Sequence, residues 1–268
     1  MISRLAHEGI PVSSLRQINR LPSEVKHALY RSLIPERALL ERCAGSGECS
    51  SPLAIEIQCQ VGAGVLEIDV RYRPAPQDPV LHVQMADTAN GQLEVLLLIV
   101  NDPRAPRFDI DRDWRGESTK LGTLTRSVAA EVAAMKAGLA PGQVRRGLRL
   151  SCELVPVVER FAACLGKDRF FIAPLAYHNA IAFERRGFAY MIGRARMEQI
   201  HRGFQPGGAL VERLDGSTPF RQPGAGKSVR GRSWAIHDGI LDEPWSGIRM
   251  YKRVGQHAGI CSFPGAVY

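Results

Sequence analysis

The chain has 268 residues, of which 45% are hydrophobic and 23% charged. That is enough to bury one sizeable core, and the composition excludes the low-hydrophobicity, high-charge class of disordered chains. A formal net charge of +8 attracts polyanions such as coenzyme phosphates, nucleic acid or anionic lipid without choosing among them, while 7% aromatic residues and no basic run interleaved with rings give nucleic acid no stacking face.

In chain order, residues 21–42 place Val25, Ala28, Leu29, Leu33 and Leu39 at helical spacing, with Ser23 as cap and Pro35 as interruption. The Gly- and Ser-dense stretch 44–52 reads as a linker, which sets a boundary near residue 50. From residue 53 the period changes to two, predicting strands over AIEIQCQ, GVLEIDVRY, VLHVQMAD, QLEVLLLIV and RFDID, paired antiparallel. Asn90-Gly91 is the strongest hairpin signal and predicts a type I′ turn. The apolar run at 96–100 predicts a central strand covered on both faces. Residues 125–137 predict an Ala-rich helix ending at Gly138, and a second helix is expected from about Arg146 to Gly166, disturbed by Pro156. RFFIAPL, at 169–175, reads as a strand and HNAIAFERRGF, at 178–188, as a short helix stopped by Gly187. Beyond Phe204, Gly and Pro, with short apolar stretches such as SWAIHDGI and IRMYKRV, predict an irregular extension with a few short strands. The expected fold is therefore α/β (α+β), a central mixed, largely antiparallel sheet flanked by helices, with a helical lead-in over 1–50, a core over 51–204 and an extension over 205–268.

Six cysteines, at positions 43, 49, 59, 152, 164 and 261, form no CxxC and have no His partner at finger spacing, so no metal site is expected. Cys152 and Cys164 fall in an apolar helix-like stretch and read as core thiols, which fits a reduced, cytoplasmic setting; Cys43 and Cys49 would bridge only in an oxidising one. The first residues show no apolar secretory segment, and the aliphatic run at 95–100 is about a third of the roughly 20 residues a membrane span needs.

Residues 142–188 carry a family resemblance. GQVRRGLRLS is a basic, Gly-containing turn opening a helix, and RFFIAPLAYHNAIAFERRGFAY follows it with a strand, an Asn-bearing turn and a helix ending in Gly-Phe, matching at Asn179, Ala182, Glu184, Gly187 and Phe188. This order resembles the coenzyme-binding half of GNAT-type acyl-CoA N-acyltransferases. The resemblance implies acetyl-CoA or a longer acyl-CoA as co-substrate, bound between the central strand and RFFIAPL. Its phosphates would lie near Arg145, Arg146 and the Gly147 and Leu148 amides, and Asn179 near the pantetheine arm. It implies an amine acceptor, for which the sequence has no signature, attacking the thioester directly.

The sequence departs from the family's Q/R-x-x-G-x-G/A loop at Val144 and Arg149, and Phe183 stands where a Tyr often serves as general acid, leaving Tyr177 or His178 for that role. Acyl-homoserine-lactone synthases and long-chain N-acyl amino acid synthases, which are related folds, also lack a tidy glycine loop. A further departure is that a helix and about thirty residues separate RFDID from the turn, where the family joins strand to turn directly. Glu131, on the Ala-rich helix, is a candidate base for the amine. Beside these stand plainer readings: a helix-to-helix connection at 142–147, a helix cap at Asn179, a solvated Glu131, a GNAT-shaped module without catalysis, and a basic nucleic-acid binder. GAGKS at 224–228 lacks the phosphate-loop spacing, Glu198 and His201 lack a second His, and His237-Asp238 has no nucleophile elbow beside it.

Overall fold

The computed structural model describes residues 4–44, 53–73, 75, 77–113, 115–119 and 125–268. In chain order the elements are β1 (Ala6–His7), β2 (Ile10–Pro11), α1 (Leu15–Ile18), α2 (Ser23–Arg31), α3 (Glu36–Ala44), β3 (Leu53–Gln58), β4 (Val65–Tyr72), β5 (Leu81–Asp87), β6 (Leu93–Val100), α4 (Val128–Lys136), α5 (Ser151–Cys164), β7 (Arg169–Ile172), α6 (Tyr177–Arg185), β8 (Ala189–Ile192), α7 (Arg194–Gly203), α8 (Ala209–Glu212), α9 (Val229–His237) and β9 (Arg249–Arg253). β1 and β2 form a hairpin, and the others form a mixed, mostly antiparallel sheet of seven strands in the order β3-β4-β5-β6-β7-β9-β8. The expected α/β class, a largely antiparallel sheet flanked by helices, is the observed one.

The chain divides into two compact units that alternate along it: one of Met1–Ala105, Gly147–Ala173 and Tyr251–His257, the other of Pro106–Arg146, Pro174–Met250 and Ala258–Tyr268. In the first unit β3 to β6 form an antiparallel meander whose register puts Leu66, Met85 and Val95 in one row and Ile68 and Val83 in the next, all buried. Alternation buries this face because successive side chains of a strand point to opposite sides. The helical lead-in is fastened to β4 by Asn19, which donates to the carbonyls of Ala63 (2.7 Å) and Val65 (3.0 Å) and accepts from the Tyr30 hydroxyl. The lead-in breaks at Pro35 as expected, but α2 is capped by Pro22, and Ser23 lies inside it.

The Asn90-Gly91 turn differs from its prediction. Only Gly91 has positive φ, at 67°, its N–H donates to Thr88 (2.9 Å), and Thr88 N–H donates to Gln92 (2.7 Å). This is a type I turn closed by a left-handed glycine, the three-residue alternative for a hairpin. RFDID is not a strand: Arg107 binds Asp109 and Asp111 (2.7 Å), so its period of two comes from a charged clip.

The second unit has a core of Ile110, Ala134, Leu139, Phe220 and Trp234, where the Trp234 indole stacks on Phe220 at 5.1 Å and donates to the Leu139 carbonyl at 2.8 Å. Its later part is more regular than expected. SWAIHDGI falls largely in helix α9, started by Ser228, whose hydroxyl accepts from Gly231 N–H at 3.0 Å. Gly231 is required there, because a Cβ would lie 2.2 Å from the Ala225 carbonyl oxygen. IRMYKRV contains β9 as predicted.

Candidate functional site

The site with the clearest geometry lies in the first unit, at the central strand. β6 pairs along its length with β5, but with β7 only through Leu93↔Phe170, Glu94↔Phe171 and Val95↔Ile172, in parallel. The parallel ladder stops where the β5 register shifts, Gln84↔Leu97 being followed by Met85↔Val95, so Leu96 is an extra residue in β6. A bulge bends its strand and leaves the extra residue out of the ladder. Leu96 is 42% exposed and residues 97–100 are only half-buried, contrary to the expectation of a strand covered on both faces. An aliphatic run left half open is the notable feature, since such a sequence ordinarily fills a core.

At the end of β6 the chain departs for residues 106–146 in the other unit and returns at Gly147 beside the point it left. A Cβ on Gly147 would stand 3.1 Å from the Val100 carbonyl oxygen. The strand that lies beside the turn in space is therefore β6 and not RFDID. Behind the turn, α5 starts at Ser151, five residues later than predicted; Leu150 is its N-cap and no side chain caps it. Its amide end carries partial positive charge. Arg149, where the family pattern has Gly or Ala, takes a left-handed φ of 58°, so the turn keeps a glycine-like conformation with another residue in place.

Gly147, Leu148 and Arg149 line a shallow depression of about 320 Å³ together with Arg42, Arg104, Glu41 and Asp102. Arg42 donates to the Leu148 carbonyl (3.0 Å) and to Glu153 (2.9 Å), and Arg104 donates to the Arg42 carbonyl (2.8 Å). Arg42 is thus paired with Glu153, and Arg104 lies 3.7 Å from Asp102, so the depression presents guanidinium donors whose charge is partly matched by carboxylates. The chain matches no protein-family model, no curated protein and no solved structure. Its function must therefore be argued from the geometry.

Of the residues expected at the coenzyme, Gly147 and Leu148 line the depression. Arg145, half-buried, and Arg146, exposed, end the segment belonging to the second unit. Arg42 and Arg104 were not anticipated, being distant in sequence and outside any motif. The remaining candidates lie in the second unit, gathered around α9. His178, on α6, is buried, and its Nδ1 is 2.9 Å from the Ser233 hydroxyl of α9. Burial pushes this imidazole down to about 3, helped by Arg230 and His237, so it is neutral at physiological pH. Glu131, on α4, is also buried. Its carboxylate accepts from Arg126 (2.5 Å) and sits 3.0 Å from Nε2 of His237, one turn beyond Ser233. Burial raises the Glu131 carboxyl, but His237 and Arg126 outweigh it and hold the group below its ordinary range, a carboxylate of low basicity. Arg126 continues to Asp238 (2.9 Å), which also accepts from Arg221 and Thr218. α9 thus carries a partner for each of two predicted residues, Ser233 for His178 and His237 for Glu131, in two separate hydrogen-bonded groups.

Tyr177 is buried, edge-on to Trp245 at 6.1 Å, with its hydroxyl 3.5 Å from Arg232. Burial pushes its phenol up to about 12, so it keeps its proton at neutral pH. Asn179 is half-buried, and its N–H donates to the Ala176 carbonyl (3.1 Å). Phe183 packs on Phe188 at 5.1 Å. GAGKS forms the approach to α9, Glu198 pairs with Arg194, and His201 meets Arg232 at 3.1 Å. Cys152 is exposed and Cys164 half-buried, so neither is the core thiol expected; Cys43 is the buried one, and Cys49 lies outside the described residues. Among the described residues no helix is long and apolar enough to cross a membrane.

Proposed function

We propose that this chain is an acyl-CoA-dependent N-acyltransferase of the GNAT type, in which an amine attacks the thioester directly. The observation that carries the reading is the central strand, paired to β7 over three residues and then left to run on with an aliphatic, half-open surface. In this reading the pantetheine arm lies along that edge as an added strand would, taking main-chain hydrogen bonds. The bulge at Leu96 supplies an N–H outside the ladder to polarise the thioester carbonyl, the term that dominates acyl transfer. The diphosphate meets the turn at Gly147 and Leu148, the uncapped start of α5, and the guanidinium groups of Arg42, Arg104 and Arg149.

The test is thermal unfolding of the full chain with CoA, acetyl-CoA and longer acyl-CoAs. A ligand at about 100 times its dissociation constant stabilises by about 2.7 kcal/mol, a rise of several degrees. Arg42→Ala combined with Arg104→Ala is expected to lower affinity at least tenfold, each lost charge-assisted contact contributing about 1.5–3 kcal/mol. No shift with any CoA species ends the coenzyme reading. A shift without thiol release across a panel of amines favours the binding module, to which Phe183 in place of a proton-donating Tyr points.

A further inference from the structure

We propose that Glu67, Asp69 and His82 form a binding site for one divalent transition-metal ion on the outer face of the β4–β5 ladder. The cross-strand register sets Asp69 directly opposite His82 and Glu67 opposite Gln84, all on the face away from the buried row of Leu66, Ile68 and Val70. One ligand atom from each of the three lies within 4.8 Å of the others, and all three side chains are half-buried. His82 Nδ1 is 3.1 Å from Asp69 Oδ1. Two ligands each about 2.1 Å from one ion are separated by roughly 3.0–3.4 Å at right-angled to tetrahedral geometry, so this pair is already set for coordination.

The plainer reading is a cross-strand His–Asp hydrogen bond, and two observations go beyond it. Glu67 carries a half-buried carboxylate that makes no hydrogen bond or ion pair among the described residues, although its neighbour His82 offers only one Nδ1, already facing Asp69. The register also places Glu56 directly opposite Asp69, and carboxylates across a strand pair repel. Gln58 donates to Glu56 at 3.0 Å, and Arg71 reaches Asp69 only at 3.8 Å. A divalent cation between Glu67, Asp69 and His82 removes that repulsion and gives Glu67 its partner. One imidazole with two carboxylates suits a first-row transition ion, with water in the open positions. The expectation of no metal rested on spacing along the chain, whereas this set exists only through strand register.

The test uses the full chain stripped with a chelator, then titrated with Co2+ under visible absorption and with Zn2+ in a calorimeter, beside His82→Ala and Glu67→Gln. The expected result is one equivalent of metal in the wild type and at least tenfold weaker binding in each variant. Glu67→Gln decides the matter if His82→Ala fails to fold, because it is isosteric and breaks no existing contact; its unfolding midpoint without metal should equal that of the wild type. No uptake, or uptake equal in wild type and Glu67→Gln, including thiolate-bound Co2+ at the cysteines, overturns the proposal.

Discussion

Glu131→Gln separates a base from a structural anchor. Gln keeps the shape of the side chain but removes the charge that Arg126 and His237 share, and it turns an amide N–H₂ toward one of those donors. Breaking a buried pair by removing one partner costs about 3–5 kcal/mol. Here the cost is smaller, because the Arg126 side chain is 27% exposed and retains Asp238 at 2.9 Å. A loss of about 2 kcal/mol follows, or about 4–8 °C in the unfolding midpoint at neutral pH. The effect has a pH signature. A carboxyl held below its unfolded value of 4.5 contributes stability that is complete above that value and is lost as pH falls through the lower folded one. The gap between wild type and variant should therefore be full at pH 7 and close on acidification below about 4.5. Thermal denaturation followed by circular dichroism from pH 7 to pH 3 reads both. A midpoint equal to the wild type at pH 7, or a gap unchanged by acid, refutes the anchor; a lost turnover with an unchanged midpoint would instead mark Glu131 as the base.

Two further outcomes are expected. His178, lowered to about 3 by burial, should show ring resonances that do not titrate between pH 5 and pH 9; its contribution to stability is complete above its ordinary value of 6.5 and declines as pH falls below it, and a midpoint near 6.5 by NMR would contradict the buried pair with Ser233. Gly147→Ala puts a methyl 3.1 Å from the Val100 carbonyl, a few tenths of an ångström too close, and should cost about 1 kcal/mol without coenzyme while weakening the CoA shift; an unchanged midpoint by thermal unfolding refutes the close approach of turn to strand.

The strands of the meander were legible because one face is buried and the other polar, so period two survives in the sequence from Leu53 to Val95. Local chemistry misled in three places. RFDID alternates because Arg107 gathers Asp109 and Asp111. SWAIHDGI mixes apolar and polar residues, yet Ser228 starts a helix there and its polar members, Ser233 and His237, are used inside the unit by His178 and Glu131. Asn-Gly marked a hairpin correctly, but Thr88 supplied the closing contacts, through its carbonyl to Gly91 and its hydroxyl to Gln92, so Asn90 needed no positive φ.

The candidate site was legible only in part, for a topological reason. Along the chain the turn is separated from RFDID by a helix and about thirty residues, and nothing local shows which strand it meets, yet Gly147 returns to the carbonyl of Val100. Once that excursion is set aside, the small residue at 147 is explained twice, by the strand it touches and by the anion it would face. The two explanations make different demands: contact with Val100 forbids a Cβ whatever is bound, whereas a phosphate forbids it only when bound. Comparing Gly147→Ala with Arg104→Ala separates them, since Arg104 lines the depression and donates to the Arg42 carbonyl, whereas Arg42 also holds the turn itself through the Leu148 carbonyl. A CoA shift that survives loss of Arg104 but not of Gly147 would mean that the turn matters through β6 alone, and the coenzyme's phosphates would have to lie elsewhere.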